Sequence, residues 1–362
     1  MTETPRRHPY QDLPDRQFWR NDPGIAKGSL FDPVSAVTFR IRRSDRVVSA
    51  GSCFAEHLGR QLAKAGFSHF ITEPAHPMIG EKLARQYGYG PYAARYGNVY
   101  TARQLLQLLH RAFGHFAPLA LSWPCRNGRV VDPFRPGIQP QGFVSKAELM
   151  LDQRQHFAAI RRAVEEMDVF VFTLGLTEAW EDTRDGAIFP IAPGVSGGVW
   201  DAASVRFRNF GLQETAADLE VALAFIRDRN PKVRILLTVS PVPLNATYED
   251  RHVWVSTTVS KAVLRLAAEE MLSRFADIAY FPSYEIITAP HLRGRYFAED
   301  CRSVLPAGVD HVMRLFLAHF GDRSGTASPE ERAALAEAVA RQSAQVDAQL
   351  DVFCQEQSIT NR

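Results

Sequence analysis

The fold follows from residues 46–66, whose sequence is RVVSAGSCFAEHLGRQLAKAG. Its first five residues form a continuous apolar run, which is typical of a strand buried on both faces. Gly51 ends the run, and the residues after it have the spacing of an amphipathic helix. The stretch therefore predicts a strand, a sharp turn and a helix, with Ser52 and Cys53 side by side at the turn.

Three further apolar runs resemble the first, namely VFVFTLG (169–175), RILLTVS (234–240) and IAYFPSYEI (278–286). Buried strands that alternate with amphipathic helices predict a three-layer α/β fold with a parallel sheet. Residues 278–283 and the other three runs, the first spanning 46–50, should be neighbouring parallel strands. Ligands bind such sheets at the carboxyl ends of the strands, which here read GSC, GLTE, SPVPL and SYEII.

Composition limits the class of protein. The 362 residues are 46% hydrophobic, enough for a full core. A formal net charge of +2 makes nucleic acid a poor partner. The sequence shows no secretory signal and no apolar window that could span a bilayer, which predicts a cytoplasmic protein without a membrane partner. The four cysteines lie far apart without CxxC spacing, so we expect reduced thiols.

Motifs for nucleotides and metals are missing. The string GSCFAEHLG lacks GxGxxG spacing, and no GxxxxGK[ST] occurs. The eleven histidines include no HExxH and no pair spaced like metal ligands. We therefore expect neither a cofactor nor a metal ion.

The Ser52–Cys53 pair is the candidate for nucleophilic catalysis. Backbone N–H groups at the start of a helix stabilise negative charge, so they would lower the pKa of a thiol there and could hold an oxyanion. A serine in this place needs an adjacent base, whereas a cysteine is partly ionised near neutral pH. The structural alternatives are a small buried apolar residue for Cys53 and a helix N-cap for Ser52.

Five strings occur in order along most of residues 8–320: GSCFA, YGNVYTARQLLQL, FTLGLTEAW, LTVSPVPL and YFPSYEII. Together they resemble the GSCFA domain family, which is similar to the SGNH, or GDSL-type, hydrolases. The resemblance implies a flavodoxin-like parallel sheet with helices on both faces, and hydrolysis or transfer of acyl esters. The superfamily's Gly-Asp-Ser block matches Gly51, Ser52 and Cys53, which puts Cys53 at the nucleophile position and Ser52 at that of the aspartate.

The resemblance also suggests the oxyanion donors. The superfamily's Gly-x-Asn-Asp block is similar to GLTE, which places Gly175 and Thr177 in the oxyanion or substrate-binding set together with the neighbouring Glu178. Asn98 resembles the amide donor of the second block and could act with the backbone N–H groups of Cys53 and Gly97. Thr177 and Asn98 have the alternative role of closing turns.

The last block departs from the superfamily's Asp-x-x-His. Asp300 is present, but Ser303 stands where the histidine should be. His311, later in the same segment, is the first candidate for the base, with Asp300 orienting it, and His252 is the second. Either histidine has the alternative role of a surface or core-packing residue.

Two classes of function remain open. Long loops at 70–100, at 122–143 and after Trp180 contain aromatic, Arg and Asn residues, which suit a carbohydrate-like ligand but also simply cover sheets. The first class is an enzyme of polysaccharide modification, an esterase or O-acyl (acetyl) transferase with a carbohydrate-like substrate and an acyl donor. The second is a non-catalytic ligand-binding module, which the missing histidine favours.

Three segments are expected. Residues 1–45 form an N-terminal extension packed on the core, residues 46–322 form the α/β domain, and residues 323–362 form a helical appendage. Ser328 and Glu331 are spaced as a capping box for that last helix. The helix docks on the body or, as the alternative, joins two copies in a homodimer.

Overall fold

A computed structural model describes residues 8–26 and 31–322 of the protein. The strands are β1 (Val47–Gly51), β2 (Trp123–Pro124), β3 (Val130–Val131), β4 (Val169–Leu174), β5 (Glu178–Asp182), β6 (Ile188–Phe189), β7 (Val205–Asn209), β8 (Arg234–Val239) and β9 (Ile278–Tyr280). The α-helices are α1 (Pro23–Ala26), α2 (Cys53–Lys64), α3 (Glu81–Gln86), α4 (Ala102–Ala112), α5 (Lys146–Glu166), α6 (Leu212–Arg229), α7 (Val253–Arg274), α8 (Ser283–Thr288) and α9 (Pro306–Phe320).

The four predicted strands form one parallel sheet in the order β1-β4-β8-β9, which confirms the predicted architecture. Val169 of β4 pairs with Val47 on one side and with Arg234 on the other. The fourth strand is shorter than predicted and ends at Tyr280. Pro282 has no N–H to continue the ladder, and α8 begins directly after it.

Residues 68–70 pair with the outer side of β1, although the sequence analysis did not predict a fifth segment in the sheet. The Val47 N–H donates to the Ser68 carbonyl at 2.9 Å, and the Phe70 N–H donates to the Val47 carbonyl at 2.9 Å. His69 lies between these two contacts in a parallel bridge to Val47. The chain thus runs along the outer edge of β1 before it enters the 70–100 loop.

Helices cover both faces of the sheet because successive side chains of a buried strand point to opposite sides. Phe170 and Phe172 face a core built with α4, α5, α6 and α7. Val169 and Val171 face a second core built with α2, α8 and α9. This three-layer arrangement leaves the carboxyl edge of the sheet to the connecting loops.

Two of the long loops are more regular than their composition suggests. Part of the chain after Trp180 returns as β7, so that β5 pairs antiparallel with both β6 and β7. In the 122–143 region, β2 and β3 form a two-stranded ribbon. Trp123 and Phe189 join these two small sheets through an edge-to-face contact with ring centroids 4.8 Å apart.

Residues 31–41 pack along α9. The Ile41 N–H donates to the Phe320 carbonyl at 2.6 Å, and the Arg40 guanidinium donates to the His319 carbonyl at 2.9 Å. The predicted helix of residues 323–362, with its docking or dimer role, lies outside the described residues. Within the described part of the chain, no helix is long and apolar enough to cross a membrane.

Candidate active site

The turn between β1 and α2 is built around Gly51. Its φ angle is +141°, in a region that residues with a side chain rarely adopt. A Cβ at this position would overlap the carbonyl oxygen and the side chain of Thr173 on β4. Glycine is therefore required both by the backbone conformation and by the close approach of the neighbouring strand. The turn leads directly into α2, whose first residue is Cys53.

Ser52 occupies the N-cap position of α2, as the structural alternative predicted, but its side chain makes no capping hydrogen bond. The residue is only 4% exposed, and its hydroxyl has no partner among the described residues. Its Cβ lies 3.2 Å from where a Cβ on Gly175 would stand. Ser52 is thus enclosed between the β1 and β4 exits, and the first N–H groups of α2 are left uncapped by it.

The YGNVY segment, residues 96–100, joins these two exits. The Val99 N–H donates to the Gly51 carbonyl at 2.8 Å. The N–H groups of Gly175 and Leu176 donate to the Tyr100 carbonyl at 3.0 and 3.1 Å. Gly97 supports the bend with a φ of +67°. Three pieces of chain that are distant in sequence therefore meet at one edge of the sheet.

Asn98 is the amide that the structure brings to this edge. It is 8% exposed, and the Tyr92 hydroxyl lies 2.8 Å from its Oδ1 and 3.2 Å from the Ser52 carbonyl oxygen. In this orientation the phenol donates to the amide oxygen, and the NH₂ end of Asn98 points away from Tyr92. No described residue accepts a hydrogen bond from Nδ2 of Asn98. A donor is thereby preorganised next to the β1–α2 turn.

Thr177 of the GLTE segment has no donor left for an oxyanion. Its hydroxyl donates to Oδ1 of Asn209 at 2.7 Å, and its N–H donates to the Ser260 hydroxyl at 3.1 Å. The Asn209 amide in turn donates to Glu249 at 2.8 Å. The oxyanion role suggested for Thr177 would require breaking this chain, so Asn98 is the better candidate.

Two further contacts hold the β4 exit in place. Lys261, on α7 and 2% exposed, donates from Nζ to the Gly175 carbonyl at 2.7 Å. Glu178 accepts from the Thr247 hydroxyl at 2.6 Å and from the Tyr248 N–H at 3.4 Å. Burial raises the pKa of the Glu178 carboxyl. The Gly175 turn is thus fixed by the helix that follows β8, and Glu178 is tied to the β8–α7 loop.

The segment that matches the superfamily's last block folds beside the β8 exit. Asp300 accepts from the Ser303 hydroxyl at 2.6 Å and from the Ser303 N–H at 2.8 Å. The Arg302 guanidinium donates to the Pro243 carbonyl at 3.2 Å, which anchors the segment against SPVPL. Asp300 therefore binds the serine that stands in the histidine's place.

Both predicted histidines are bonded to residues outside the turn. His311 is 4% exposed, with Nδ1 2.6 Å from the Tyr296 hydroxyl and Nε2 3.0 Å from the Phe31 carbonyl oxygen. His252 is the N-cap of α7, where its Nδ1 accepts from the Trp254 N–H at 3.1 Å. A base role for His311 would require the ring to leave both partners, and Asp300 does not contact it. These contacts fit the alternative roles of a core-packing and a surface residue, and the base role of either histidine stays a prediction.

Two titratable residues of α2 lie within one turn of Cys53, and the sequence analysis missed both. Glu56 follows at i+3, and its pKa is raised by burial in spite of Arg60 and Arg85. His57 follows at i+4, and its Nδ1 lies 2.8 Å from the Arg60 guanidinium. Arginine can only donate, so Nδ1 accepts and the neutral ring carries its proton on Nε2. The signal was the helical spacing itself, because i, i+3 and i+4 share one face.

No group of three or more His, Cys, Asp or Glu side chains in residues 8–26 and 31–322 is arranged to hold a metal ion. The chemistry available at the turn is that of a helix N-terminus, a fixed amide and the α2 side chains. The model of the GSCFA family matches residues 46–316. That range begins one residue before β1, ends within α9 and contains every candidate site residue named above. No curated protein and no solved structure matches the chain.

Proposed function

Because the chain belongs to the GSCFA family, we propose that it hydrolyses or transfers acyl esters through a nucleophile at the β1–α2 turn. The observation that carries the proposal is the fixed amide of Asn98 beside that turn, with its oxygen engaged by Tyr92 and its NH₂ end left as a donor. A sharp strand–helix turn with a neighbouring donor is the arrangement that acyl transfer needs.

The proposed nucleophile is Cys53. It is the first residue of α2, where the uncapped N–H groups stabilise a thiolate. Ser52 is the second choice because its hydroxyl is enclosed between the two strand exits and has no described base beside it. A serine without a base is a weak nucleophile.

The proposed reaction has two steps. The Cys53 thiolate attacks the ester carbonyl, a C–S bond forms, and the oxyanion is held by Asn98 Nδ2 and by N–H groups at the start of α2. The C–O bond to the leaving group then breaks, and the leaving alkoxide takes up a proton. Water or an acceptor hydroxyl next attacks the thioester, loses its proton, and releases the acid or a new ester together with the thiolate.

We assign the proton transfer to His57. An α-helical side chain leans towards the N-terminus of its helix, so a residue at i+4 leans towards the turn that carries Cys53. The ring takes the proton of the Cys53 thiol as the thiolate forms, exchanging the Arg60 contact of Nδ1 for that proton. The resulting imidazolium gives a proton from Nε2 to the leaving oxygen and returns to the neutral form. In the second step the neutral ring takes the acceptor's proton, which restores the imidazolium and the thiolate of the first step.

The proposed substrate is carbohydrate-like, and polysaccharide modification is the proposed setting. The support is the aromatic and amide content of the 70–100 loop, which carries both Tyr92 and Asn98. A cytoplasmic location goes with this proposal as an expectation from the sequence alone.

A non-catalytic ligand-binding module is the second candidate function. It is favoured by Ser303, which stands in the superfamily's histidine position and is bonded to Asp300. On this alternative the turn and the amide bind an acyl or carboxyl group without breaking a bond.

Steady-state hydrolysis of 4-nitrophenyl acetate tests the choice between the two. The wild type should turn over, and Cys53→Ala should lose at least about a hundredfold in kcat/KM, since it removes the nucleophile. Cys301→Ala removes the exposed thiol and is the matched control, with unchanged rates expected. Equal rates for wild type and Cys53→Ala would exclude Cys53 as the nucleophile, and no hydrolysis by the wild type above the rate in buffer would favour the binding module.

A further inference from the structure

A cavity of about 430 Å³ opens between α3, with the tyrosines that follow it, and α5. Its walls include Tyr87, Tyr89 and Phe143, and its rim includes Leu83 and Leu151, which are 48% and 60% exposed. The volume falls in the range of small-molecule sites. None of the residues described above at the β1–α2 turn lines it.

The charged side chains on the floor of the cavity are paired with one another. Arg95 is 3% exposed and donates to Asp152, to the Tyr87 carbonyl at 2.9 Å and to the Ile138 carbonyl at 3.1 Å. Its guanidinium carbon also lies 4.2 Å from the centre of the Tyr89 ring. Asp152 pairs with Arg135 as well, and Arg135 pairs with Asp132. An anionic ligand would find no free cation on this floor, because each guanidinium is already matched by carboxylates.

Apart from the exposed Glu148 carboxylate, which accepts from the Val144 N–H at 2.6 Å, the free hydrogen-bonding groups of the cavity are neutral. The side-chain amides of Gln139 and Gln155 and the hydroxyls of Tyr87 and Tyr89 have no hydrogen-bond partner among the described residues. Amides and phenols both donate and accept, as sugar hydroxyls do. The aromatic walls offer faces to the C–H side of a pyranose ring.

We propose that this cavity binds a neutral saccharide ring. The inference rests on the proposed function for its substrate class and adds the place at which the sugar is held. Arg95 on the floor and Asn98 at the turn are three residues apart, so their Cα atoms are at most about 11 Å from each other.

Binding of oligosaccharides to the full chain carrying Cys53→Ala tests the proposal without any turnover. The probes are cellotetraose, chitotetraose and maltotetraose, with tetragalacturonate as the anionic comparison, and the readout is saturation-transfer NMR followed by calorimetric Kd values. At least one neutral tetraose should bind, and tetragalacturonate should not. Gln155→Ala should weaken that binding by about three- to tenfold, the loss of one hydrogen bond.

A second variant fills the cavity from its rim. Leu151→Trp should weaken binding by at least about tenfold by occupying the space of the ring. Leu266→Trp on α7 places the same side chain at a residue that is 52% exposed and away from the cavity, and Gln213→Ala on α6 is the amide control. Both controls should bind like the parent, and thermal melts should show that all variants are folded.

Three outcomes would overturn the proposal: no neutral tetraose binds, only tetragalacturonate binds, or binding is the same in Leu151→Trp and Gln155→Ala as in the parent. The result is separable from the proposed function. If the wild type binds a saccharide but does not hydrolyse esters, the catalytic role alone is contradicted. If hydrolysis depends on Cys53 but no saccharide binds, the cavity assignment alone is contradicted.

Discussion

The Tyr92 hydroxyl donates to Oδ1 of Asn98 at 2.8 Å, in an orientation that leaves the NH₂ end of the amide pointing away from the tyrosine. The same hydroxyl lies 3.2 Å from the carbonyl oxygen of Ser52, so the tyrosine joins the amide to the β1–α2 turn. Both residues are buried. A donor held by packing needs no reorganisation when charge develops on a substrate, which is the property of an oxyanion site.

Removing the Asn98 donor should lower turnover without disturbing the thiol. We expect Asn98→Ala to lower kcat by about 10²- to 10³-fold, the size found for loss of one oxyanion donor. The rate of Cys53 alkylation by iodoacetamide should stay within about twofold, because the start of α2 is unchanged.

Tyr92→Phe should have a smaller effect of the same kind, with kcat down by up to about tenfold, since one neutral hydrogen bond is lost and the amide is no longer fixed. Tyr10→Phe, at a residue that is 64% exposed, is the control. A wild-type kcat in Asn98→Ala would exclude the amide from catalysis.

Gly51→Ala should destabilise the fold. The new Cβ would overlap the Thr173 carbonyl oxygen at a φ of +141°. We expect a loss of about 2–5 kcal/mol in the free energy of unfolding, measured in urea.

Gly80→Ala is the matched control, because a Cβ there meets nothing within 4 Å and the backbone φ is −62°. Its free energy of unfolding should change by less than about 1 kcal/mol. If both variants were equally stable, the Gly51 turn would not have the conformation and close approach that require glycine.

Comparing esters with different leaving groups tests whether His57 donates the proton. Nitrophenolate leaves from its ester without being protonated, whereas the alkoxide of a simple alkyl ester needs a proton donor. His57→Gln should therefore lower kcat for ethyl acetate by about a hundredfold and for 4-nitrophenyl acetate by much less.

His252→Asn keeps a capping side chain on α7 and should leave both rates unchanged. His311→Gln should lower stability through its Tyr296 and Phe31 contacts but keep the ratio of the two rates. If His311→Gln alone changed the ratio, the proton transfer would belong to His311.

Stability should fall in mild acid because of His156. Burial, together with Arg135, lowers the pKa of this ring to about 4, and burial lowers the pKa of His69 to about 4. An unfolded histidine ionises near pH 6.5, so between about pH 6.5 and 4 the unfolded chain binds protons that the folded chain does not. Each ring thus lowers the stability as the pH falls through that window, and the Glu73 carboxylate 2.7 Å from His156 opposes part of the effect of that ring.

Urea unfolding at several pH values checks this dependence. His156→Gln should remove roughly half of the combined effect of the two rings. His76→Gln, at an exposed residue, is the control and should keep the wild-type slope. A slope in His156→Gln equal to that of the wild type would contradict the assignment.

The sheet could be predicted because its strands are continuous apolar runs, as in VFVFTL of β4, and burial on both faces leaves few other arrangements. The Gly51 turn was also readable, since glycine between such a run and a helix marks a change of direction. β9 ends early, at Tyr280, because Pro282 has no N–H for the hydrogen bonds of the sheet. This effect of proline could have been predicted from the sequence.

The site was less predictable because its groups are fixed by contacts between distant segments. Nothing in the string YGNVY says that Tyr92 fixes the Asn98 amide, or that Lys261 from α7 binds the Gly175 carbonyl. The sequence favoured His311 by its position in the last block, whereas its nitrogens meet Tyr296 and Phe31. His57 was visible at i+4 from Cys53 and was overlooked.

The most direct test of the central claim is the mass of the acylated enzyme. The protein is mixed with 4-nitrophenyl acetate, quenched in acid within the first turnovers and mapped by peptide mass spectrometry. The account predicts one acetyl group on Cys53 in the wild type and in Ser52→Ala, and none at that residue in Cys53→Ala. Acetylation that persists in Cys53→Ala and disappears in Ser52→Ala would contradict it.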